Sequence, residues 1–105
     1  MIRVILESPY AGDIDRNIKY ARAAMRDCLF KGETPMCSHL LYTQEGVLDD
    51  DIPEERAMGI EAGLDWGCVS EKTVVYTDHG ISRGMRYGIE KATNEGREVE
   101  YRKLY

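Results

Sequence analysis

The chain has 105 residues, the length of a single domain, and such a domain buries roughly two-thirds of the surface of its unfolded chain. Hydrophobic residues make up 43% and charged residues 31%, which predicts one ordered domain over residues 1–105 rather than a disordered segment. The net charge of −5, without a basic stripe, argues against a nucleic-acid partner and favours a small-molecule ligand.

The first third of the chain predicts a buried strand followed by an amphipathic helix. The apolar run Ile2–Leu6 is typical of a strand, and it ends at the turn-rich segment Ser8–Asp13. Asp13 can cap the helix and Gly32 can end it. The expected buried face follows three- and four-residue steps and comprises Ile14, Ile18, Ala21, Met25 and Leu29.

The middle of the chain predicts a second strand and a second helix. Pro35–Leu41 can form the strand, and the polar stretch Thr43–Ile52 indicates a surface loop. Pro53 suits the first turn of a helix that stops before Gly67. Its expected buried stripe consists of Ala57, Ile60 and Leu64.

The last third repeats the alternation of strand and helix. Thr73–Tyr76 is a β-branched and aromatic run that predicts a strand, and Arg97–Tyr101 predicts the last one. Between them, Ser82 can cap a helix that stops near Gly96. The inward-facing residues of this helix are expected to be Met85, Ile89 and Ala92.

The alternation of strands and helices predicts an α/β fold with about four mostly parallel strands and helices on both faces. Ligands of such sheets bind beyond the carboxyl ends of the strands. The functional loops are therefore expected at Ser8–Asp13, Ser38–Tyr42 and Asp78–Gly84.

The segment Gly80–Gly84 is a candidate phosphate-binding loop. It places two glycines, Ser82 and Arg83 at the start of a helix, where free backbone N–H groups and the helix dipole favour an anion. The alternative is an ordinary glycine turn with a serine cap. In the same way, Tyr10 can stack on a base or a sugar, or can belong to a simple connecting turn.

The remaining candidates are weaker. His39 and His79 fall on predicted ligand-side loops, although a lone histidine is more often structural. Arg56 is interpreted as a surface ion-pair partner, and Asp49–Asp51 lacks the spacing of a calcium loop, so we expect no metal and no cofactor. The three unclustered cysteines suit a reducing compartment, and no signal-peptide or membrane-spanning pattern is present, so we expect a cytoplasmic protein without a membrane partner.

Three motifs together resemble the nucleoside 2-deoxyribosyltransferase superfamily, and most closely its small, often phage-encoded members. They are Ser8-Pro9-Tyr10-x-Gly12, the pair Ser38-His39, and Ser82-x-Gly84-Met85 followed by Ala92. The resemblance covers nearly the whole chain and implies a small flavodoxin-like three-layer sandwich, commonly assembled as a dimer, so we expect a homodimer or higher homo-oligomer. It also implies that Ser82 contacts a ligand phosphate and that His39 lines the site.

The chain departs from this superfamily at the catalytic positions. The nucleophilic glutamate of those enzymes aligns with Gly88, and a supporting aspartate aligns near Gly63. Glu90 is two residues further along the helix, about 200° around it, and should point away from the site. Since glutamate is the better helix former, Gly88→Glu is expected to be tolerated.

These observations favour a binding protein for nucleotides or ADP-ribose-type molecules that lacks the enzyme's nucleophile. In a phage it would suit sequestration of a nucleotide signal made by host defence. The alternatives are a deoxyribosyltransferase or nucleotide N-glycosidase that uses Glu90, and a structural or interaction module. The expected ligand-binding residues are Ser8, Pro9, Tyr10, Gly12, Ser38, His39, Asp78, Gly80, Ser82, Arg83, Gly84 and Met85.

Overall fold

The computed structural model describes residues 1–105 and confirms the predicted α/β class. Four parallel strands form one sheet in the order β2-β1-β3-β4. A short 3₁₀ turn, Trp66–Val69, precedes β3. The elements in chain order are β1 Ile2–Glu7, α1 Ile14–Phe30, β2 Glu33–Met36, α2 Ser38–Leu41, α3 Pro53–Asp65, β3 Lys72–Tyr76, α4 Arg83–Asn94 and β4 Glu98–Arg102.

The strand order explains why helices cover both faces. From β1 the chain moves to β2 on one side, and it then returns past β1 to β3 and β4 on the other side. Because crossovers between parallel strands are right-handed, this reversal puts α1 on one face and α3 and α4 on the opposite face. The result is the three-layer, flavodoxin-like arrangement, whose topological switch point lies between β1 and β3.

The main core lies between the sheet and α1. Val4, Leu6, Val74 and Tyr76 point from the central strands toward this helix and are almost completely buried. Asp13 caps α1 by accepting a hydrogen bond from the Arg16 backbone N–H, as the sequence predicts.

The predicted buried face of α1 is wrong in part, since Ala21 is buried as predicted and Ile18 and Met25 are half-buried. Ile14 and Leu29 are exposed, whereas the buried residues are Asn17, Tyr20, Ala21, Ala24 and Cys28. Small residues at the centre of this face let the helix approach the sheet closely, and Asn17 is buried because backbone carbonyls satisfy its amide.

The second strand is shorter than the predicted Pro35–Leu41. It pairs with β1 only over the four residues of Glu33–Met36, and the chain then turns into the short helix α2. The predicted stripe of α3 is also wrong in part, because Ala57 is exposed and only Leu64 of the three is buried. Helix α4 buries Met85, Gly88 and Ala92, while Ile89 is half-buried.

An ion-pair network links the two edge strands across the α1 face. The Arg102 guanidinium on β4 donates to both carboxylate oxygens of Glu33 on β2, at 2.7 and 2.6 Å. Lys72 and Glu100 join the same network, and it draws the pKa of Glu33 below its usual range. The last strand therefore extends to Arg102, one residue beyond the prediction.

None of the helices combines the length and the apolar character that a membrane crossing requires.

Candidate functional site

A cleft opens at the carboxyl ends of β1 and β3, on the side of the sheet that α3 and α4 cover. It holds about 870 Å³ of space, counted out to the solvent at its mouth. Its walls come from the loop after β1, helices α2, α3 and α4, and the segment before α3. The cleft lies beside the topological switch point, where ligands of open parallel sheets bind.

The structure brings seven of the predicted site residues together in this cleft. The match arises because each of the three motifs lies in the segment between the carboxyl end of a parallel strand and the start of the next helix or its first turn. The seven residues are Ser8, Tyr10, Ser38, His39, Ser82, Gly84 and Met85.

The floor of the cleft contains a hydrogen-bonded serine and histidine. Ser8 Oγ lies 2.6 Å from His39 Nε2, and Cys37 Sγ lies 3.4 Å from the same nitrogen. Burial lowers the pKa of His39 to about 4, so the imidazole is neutral at pH 7. His39 is therefore a neutral polar group that Ser8 holds in place.

Tyr10 stands at the edge of the cleft on a loop that α1 fixes. The Asn17 side-chain amide donates to the Tyr10 carbonyl at 2.8 Å and to the Ala11 carbonyl at 3.1 Å. The Tyr10 ring meets His39 edge-on, with the ring centroids 6.4 Å apart. This arrangement leaves an aromatic ring available to stack on a planar ligand.

The N-terminus of α4 lies at the cleft, with Ser82 and Gly84 in the lining. Ser82 Oγ accepts a hydrogen bond from the Met85 backbone N–H at 3.3 Å, so the serine caps the helix as predicted. Gly84 follows in the first turn, and a Cβ built there would meet no atom within 4 Å. The first turn of α4 is thus open toward the cleft.

Other predicted residues do not line the cleft. Asp78 accepts hydrogen bonds from the Tyr20 hydroxyl and from the backbone N–H groups of Leu104 and Tyr105, so it anchors the C-terminal segment. His79 packs against the Tyr20 ring. The predicted residues outside the cleft lining are Pro9, Gly12, Asp78, Gly80, Arg83 and Glu90.

Sequence reasoning missed several charged side chains that line the cleft, among them Glu7 and Arg56. Arg56 forms no ion pair in the structure, contrary to its interpretation as an ion-pair partner. Glu7 is the last residue of β1, and a carboxylate directly after the apolar run Val4–Leu6 was the available signal. Further lining residues are Tyr42, Thr43, Leu48, Asp50, Glu55, Gly59, Ile60, Leu64, Tyr87 and Gly88.

Glu7 and Gly88 meet at the inner end of the cleft. A Cβ built on Gly88 would lie 2.0 Å from Glu7 Oε2 and 2.5 Å from its Cδ. A side chain at residue 88 would therefore require the Glu7 carboxyl to move, and the tolerance of Gly88→Glu stays a prediction. Burial raises the pKa of Glu7 to about 8, against a smaller opposing effect of the Arg97 charge.

Gly63 shows the same relation to a neighbouring side chain. Its Cβ would lie 2.4 Å from the Ser38 Cβ, so the absence of a side chain lets α2 pack against α3. The resemblance aligns carboxylate residues with positions 88 and 63, and both are glycines here. The space that a side chain would take at these positions is occupied by Glu7 and by Ser38.

Comparison with known proteins gives one family. A family model described as a domain of unknown function, DUF7768, matches residues 2–102. No curated protein and no solved structure matches the chain.

Proposed function

The chain belongs to DUF7768, a family described as a domain of unknown function, so the site has to supply the argument for a function. We propose that the protein binds a small nucleotide or nucleoside in the cleft at the carboxyl ends of β1 and β3. The observation that supports this most directly is that the predicted ligand loops after β1, β2 and β3 all reach one cleft.

The chemistry of the walls suits the parts of a nucleotide. Tyr10, Tyr42 and Tyr87 offer aromatic surface for a base, and Leu48, Ile60 and Met85 offer apolar surface. The first turn of α4 offers backbone N–H groups to a phosphate.

Arg56 is the cation that the cleft offers to a phosphorylated ligand. It lines the cleft together with the carboxyls of Asp50 and Glu55 but forms no ion pair, so its guanidinium remains available for charge-assisted hydrogen bonds. The resemblance to deoxyribosyltransferases implies in addition that Ser82 contacts the phosphate. Sequestration of a nucleotide signal and a homodimeric state remain predictions of that resemblance.

Thermal shift assays test this proposal directly. The compounds tested would be nucleoside 5′-monophosphates, ADP-ribose and the corresponding nucleosides. We expect the phosphorylated compounds to raise the melting temperature. A ligand at about 100 times its dissociation constant adds roughly 2.7 kcal/mol to the free energy of unfolding. Unchanged melting curves with all of these compounds would contradict the proposal.

Arg56→Gln separates phosphate recognition from general effects on folding. The variant should weaken a 5′-monophosphate by roughly 10- to 100-fold, because a charge-assisted hydrogen bond contributes about 1.5–3 kcal/mol, and it should affect the nucleoside far less. Arg86→Gln is the matched control, since Arg86 is exposed on α4 and does not line the cleft. Equal losses in both variants would contradict a specific role of Arg56.

Catalysis on the bound nucleoside is the second candidate function. Glu90 does not support it, because the residue is exposed on α4 and does not line the cleft. The carboxyl of Glu7 does support it, because it lies in the cleft against Gly88, where the resemblance places a catalytic glutamate.

A further inference from the structure

The Glu7 carboxyl lies in the cleft without a hydrogen-bond or ion-pair partner in the protein. Successive strand residues point to opposite faces, so Glu7 leaves β1 on the side of α4 while Leu6 packs toward α1. Arg97 influences it electrostatically, but its guanidinium hydrogen-bonds instead to Thr73 and Glu95. Every fully enclosed side-chain oxygen or nitrogen of the protein has a partner, so the unpaired Glu7 oxygens are open to the cleft.

Gly88 leaves a defined place for this carboxyl. A glycine inside a helix lowers helix stability, yet Gly88 lies in the middle of α4. Even a Cβ there would approach Glu7 Oε2 to 2.0 Å, so the helix leaves free the room that the carboxyl takes. A largely buried polar group without a partner is costly, and a ligand in the cleft can supply the partner that the protein does not.

The carboxyl carries its proton at neutral pH. Burial raises the pKa of Glu7 to about 8, against a smaller opposing effect of the Arg97 charge. A protonated carboxyl donates one hydrogen bond through its O–H and accepts others at its carbonyl oxygen. Glu7 therefore offers a ligand a donor beside an acceptor, whereas a carboxylate would offer acceptors alone.

We propose that Glu7 determines the base preference of the cleft, because its neutral carboxyl pairs with a nucleobase edge that carries an acceptor beside a donor. This inference rests on the proposed function, since the base belongs to the nucleotide bound there. Adenine presents such an edge, with a ring nitrogen as the acceptor and its amino group as the donor. The Glu7 O–H donates to the ring nitrogen, and the carbonyl oxygen accepts from the amino group.

The layout of the cleft puts the base, and not the phosphate, at Glu7. In a parallel sheet the connecting helices run back against the strands, so α3 and α4 both start at the carboxyl ends of the strands. Arg56, in the first turn of α3, and Ser82, at the start of α4, therefore lie at the mouth. Gly88 lies about 9 Å further along the α4 axis than Ser82, at 1.5 Å per residue. A phosphate at the mouth thus leaves the base of an extended nucleotide to reach Glu7.

The charges of the lining support this orientation. Arg56 is the one arginine or lysine in the lining, and Arg97, whose charge acts on Glu7, does not line the cleft. Burial lowers the pKa of His39 to about 4, so this side chain is no cation at neutral pH either. Met85 is a buried residue of the lining and offers apolar contact to the face of a base.

Ionisation of Glu7 should distinguish adenine from guanine. A carboxylate cannot donate to the ring nitrogen of adenine and places a second acceptor against it. Guanine carries two N–H donors side by side, on a ring nitrogen and on its amino group, and these can pair with both oxygens of a carboxylate. Its ring N–H and neighbouring carbonyl can also pair with the neutral acid. Adenine nucleotides should therefore need the protonated form of Glu7, and guanine nucleotides should not.

Titration calorimetry with adenosine 5′-monophosphate at pH 7 and pH 9 tests the inference. A pKa of about 8 leaves about 90% of Glu7 protonated at pH 7 and about 10% at pH 9. The apparent affinity scales with the fraction of protein in the competent form, so we expect a Kd about tenfold higher at pH 9. Guanosine 5′-monophosphate is the matched control ligand, and its Kd should change by less than about threefold.

Glu7→Gln removes the ionisation and keeps the shape of the side chain. Its amide also presents a donor beside an acceptor, so the variant should bind adenosine 5′-monophosphate at pH 7 about as tightly as the parent, and equally well at pH 9. Glu98→Gln is the control variant, since Glu98 is exposed on β4 outside the cleft, and it should keep the pH dependence of the parent. A merely structural role of Glu7 would not remove this pH dependence.

The other ionisable groups near Glu7 are common to the parent and the variant. His39 titrates well below pH 7, and a change at any other group would alter binding by Glu7→Gln as it alters binding by the parent. The groups that face or influence Glu7 are Cys37 and His39 at α2, Asp50, Glu55 and Arg56 across the cleft, Tyr87 on α4, and Arg97 after α4.

The outcomes separate this inference from the proposed function. If neither nucleotide binds at either pH, the binding proposal fails and the inference fails with it. If both bind but the affinity for adenosine 5′-monophosphate does not fall from pH 7 to pH 9, or falls equally in Glu7→Gln, binding stands and the role of Glu7 is overturned. Equal losses for the two nucleotides in the parent would also overturn it, because the loss of the donor should matter for adenine alone.

Discussion

The identities of Glu7 and Gly88 depend directly on one another. A glutamate at the end of a buried strand is unfavourable unless there is room for its carboxyl. A glycine in the middle of a helix lowers helix stability, and it is expected where there is no room for a side chain. The 2.0 Å separation between a built Cβ at residue 88 and Glu7 Oε2 explains both residues together. Neither choice can be understood from its own sequence neighbours.

Glu7→Gln should change the pH dependence of folding stability. The pKa of Glu7 rises from 4.5 to about 8 on folding, so between these values the folded state binds more protons than the unfolded state. Stability contributed by this group is therefore present below pH 4.5 and falls as pH rises toward 8. Glutamine cannot ionise, and we expect the variant to be more stable than the parent by roughly 2–4 kcal/mol at pH 8.

Urea unfolding at pH 5 and pH 8 provides the measurement. The two proteins should differ little at pH 5 and clearly at pH 8, whereas Glu98→Gln, at an exposed site, should follow the parent at both. His39 titrates in part of this range, but it does so in every variant, so its contribution cancels from the difference. A constant difference between Glu7→Gln and the parent would show that the Glu7 pKa is not raised.

At the scale of elements, α4 has two tasks that impose different demands on its glycines. Its N-terminal turn must stay open toward the cleft, where Gly84 lies. Its middle must approach the end of β1, where Gly88 meets Glu7. The Ser82 cap fixes the start of the helix and therefore the register that brings residue 88 to the strand.

Gly88→Ala and Gly84→Ala should have opposite effects on stability. Alanine at residue 84 meets no atom within 4 Å and should be neutral or stabilising by up to about 1 kcal/mol. Alanine at residue 88 should destabilise by about 1–3 kcal/mol, because it forces the Glu7 carboxyl from its place. Thermal unfolding of both variants measures the difference.

A double-mutant cycle identifies the contact that is responsible. In a Glu7→Ala background the carboxyl is gone, so Gly88→Ala should lose its penalty and gain from the helix preference of alanine. If Gly88→Ala costs the same in both backgrounds, the close approach to Glu7 is not what selects glycine at this position.

At the scale of the whole molecule, an ion-pair network links the two edge strands of the sheet, and apolar side chains pack against its central strands. The strand residues of the main core belong to β1 and β3, and the network of Arg102 with Glu33 connects β4 to β2. Side-chain exposures of 7% for Arg102 and 5% for Glu33 make this pair a buried one. Loss of Arg102 would leave the buried Glu33 carboxylate with Lys72, 3.3 Å away, as its one remaining ion-pair partner.

Arg102→Met should therefore destabilise the fold far more than the loss of a surface pair. We expect a cost of roughly 3–5 kcal/mol in urea unfolding, because Glu33 would keep its charge without its bidentate partner. Arg3→Met is the comparison, since the Arg3–Glu71 pair is largely exposed and should contribute about 0–1 kcal/mol. Similar losses of unfolding free energy in the two variants would show that the buried Arg102–Glu33 pair contributes no more than an exposed pair.

The sequence by itself determined the fold class, the chain order of the elements and the loops that reach the ligand side. Strand and helix periodicity, the Asp13 and Ser82 caps and the glycines after the helices are local signals, and they predicted the parallel sheet and placed Ser8, His39 and Ser82 at one end of it. The short β2 and the true buried face of α1 were missed, because pairing length and helix rotation depend on the neighbouring layer.

Only the tertiary structure decided which side chains fill the centre of the cleft. Glu7 and Gly88 are 81 positions apart, and so are not neighbours in any local pattern. Arg56 could be interpreted as a surface residue until α3 placed it at the cleft without a carboxylate partner. The physical reason is that a pKa, a free charge or a reserved space depends on what surrounds a group, and these surroundings come from elements that meet only when the chain has folded.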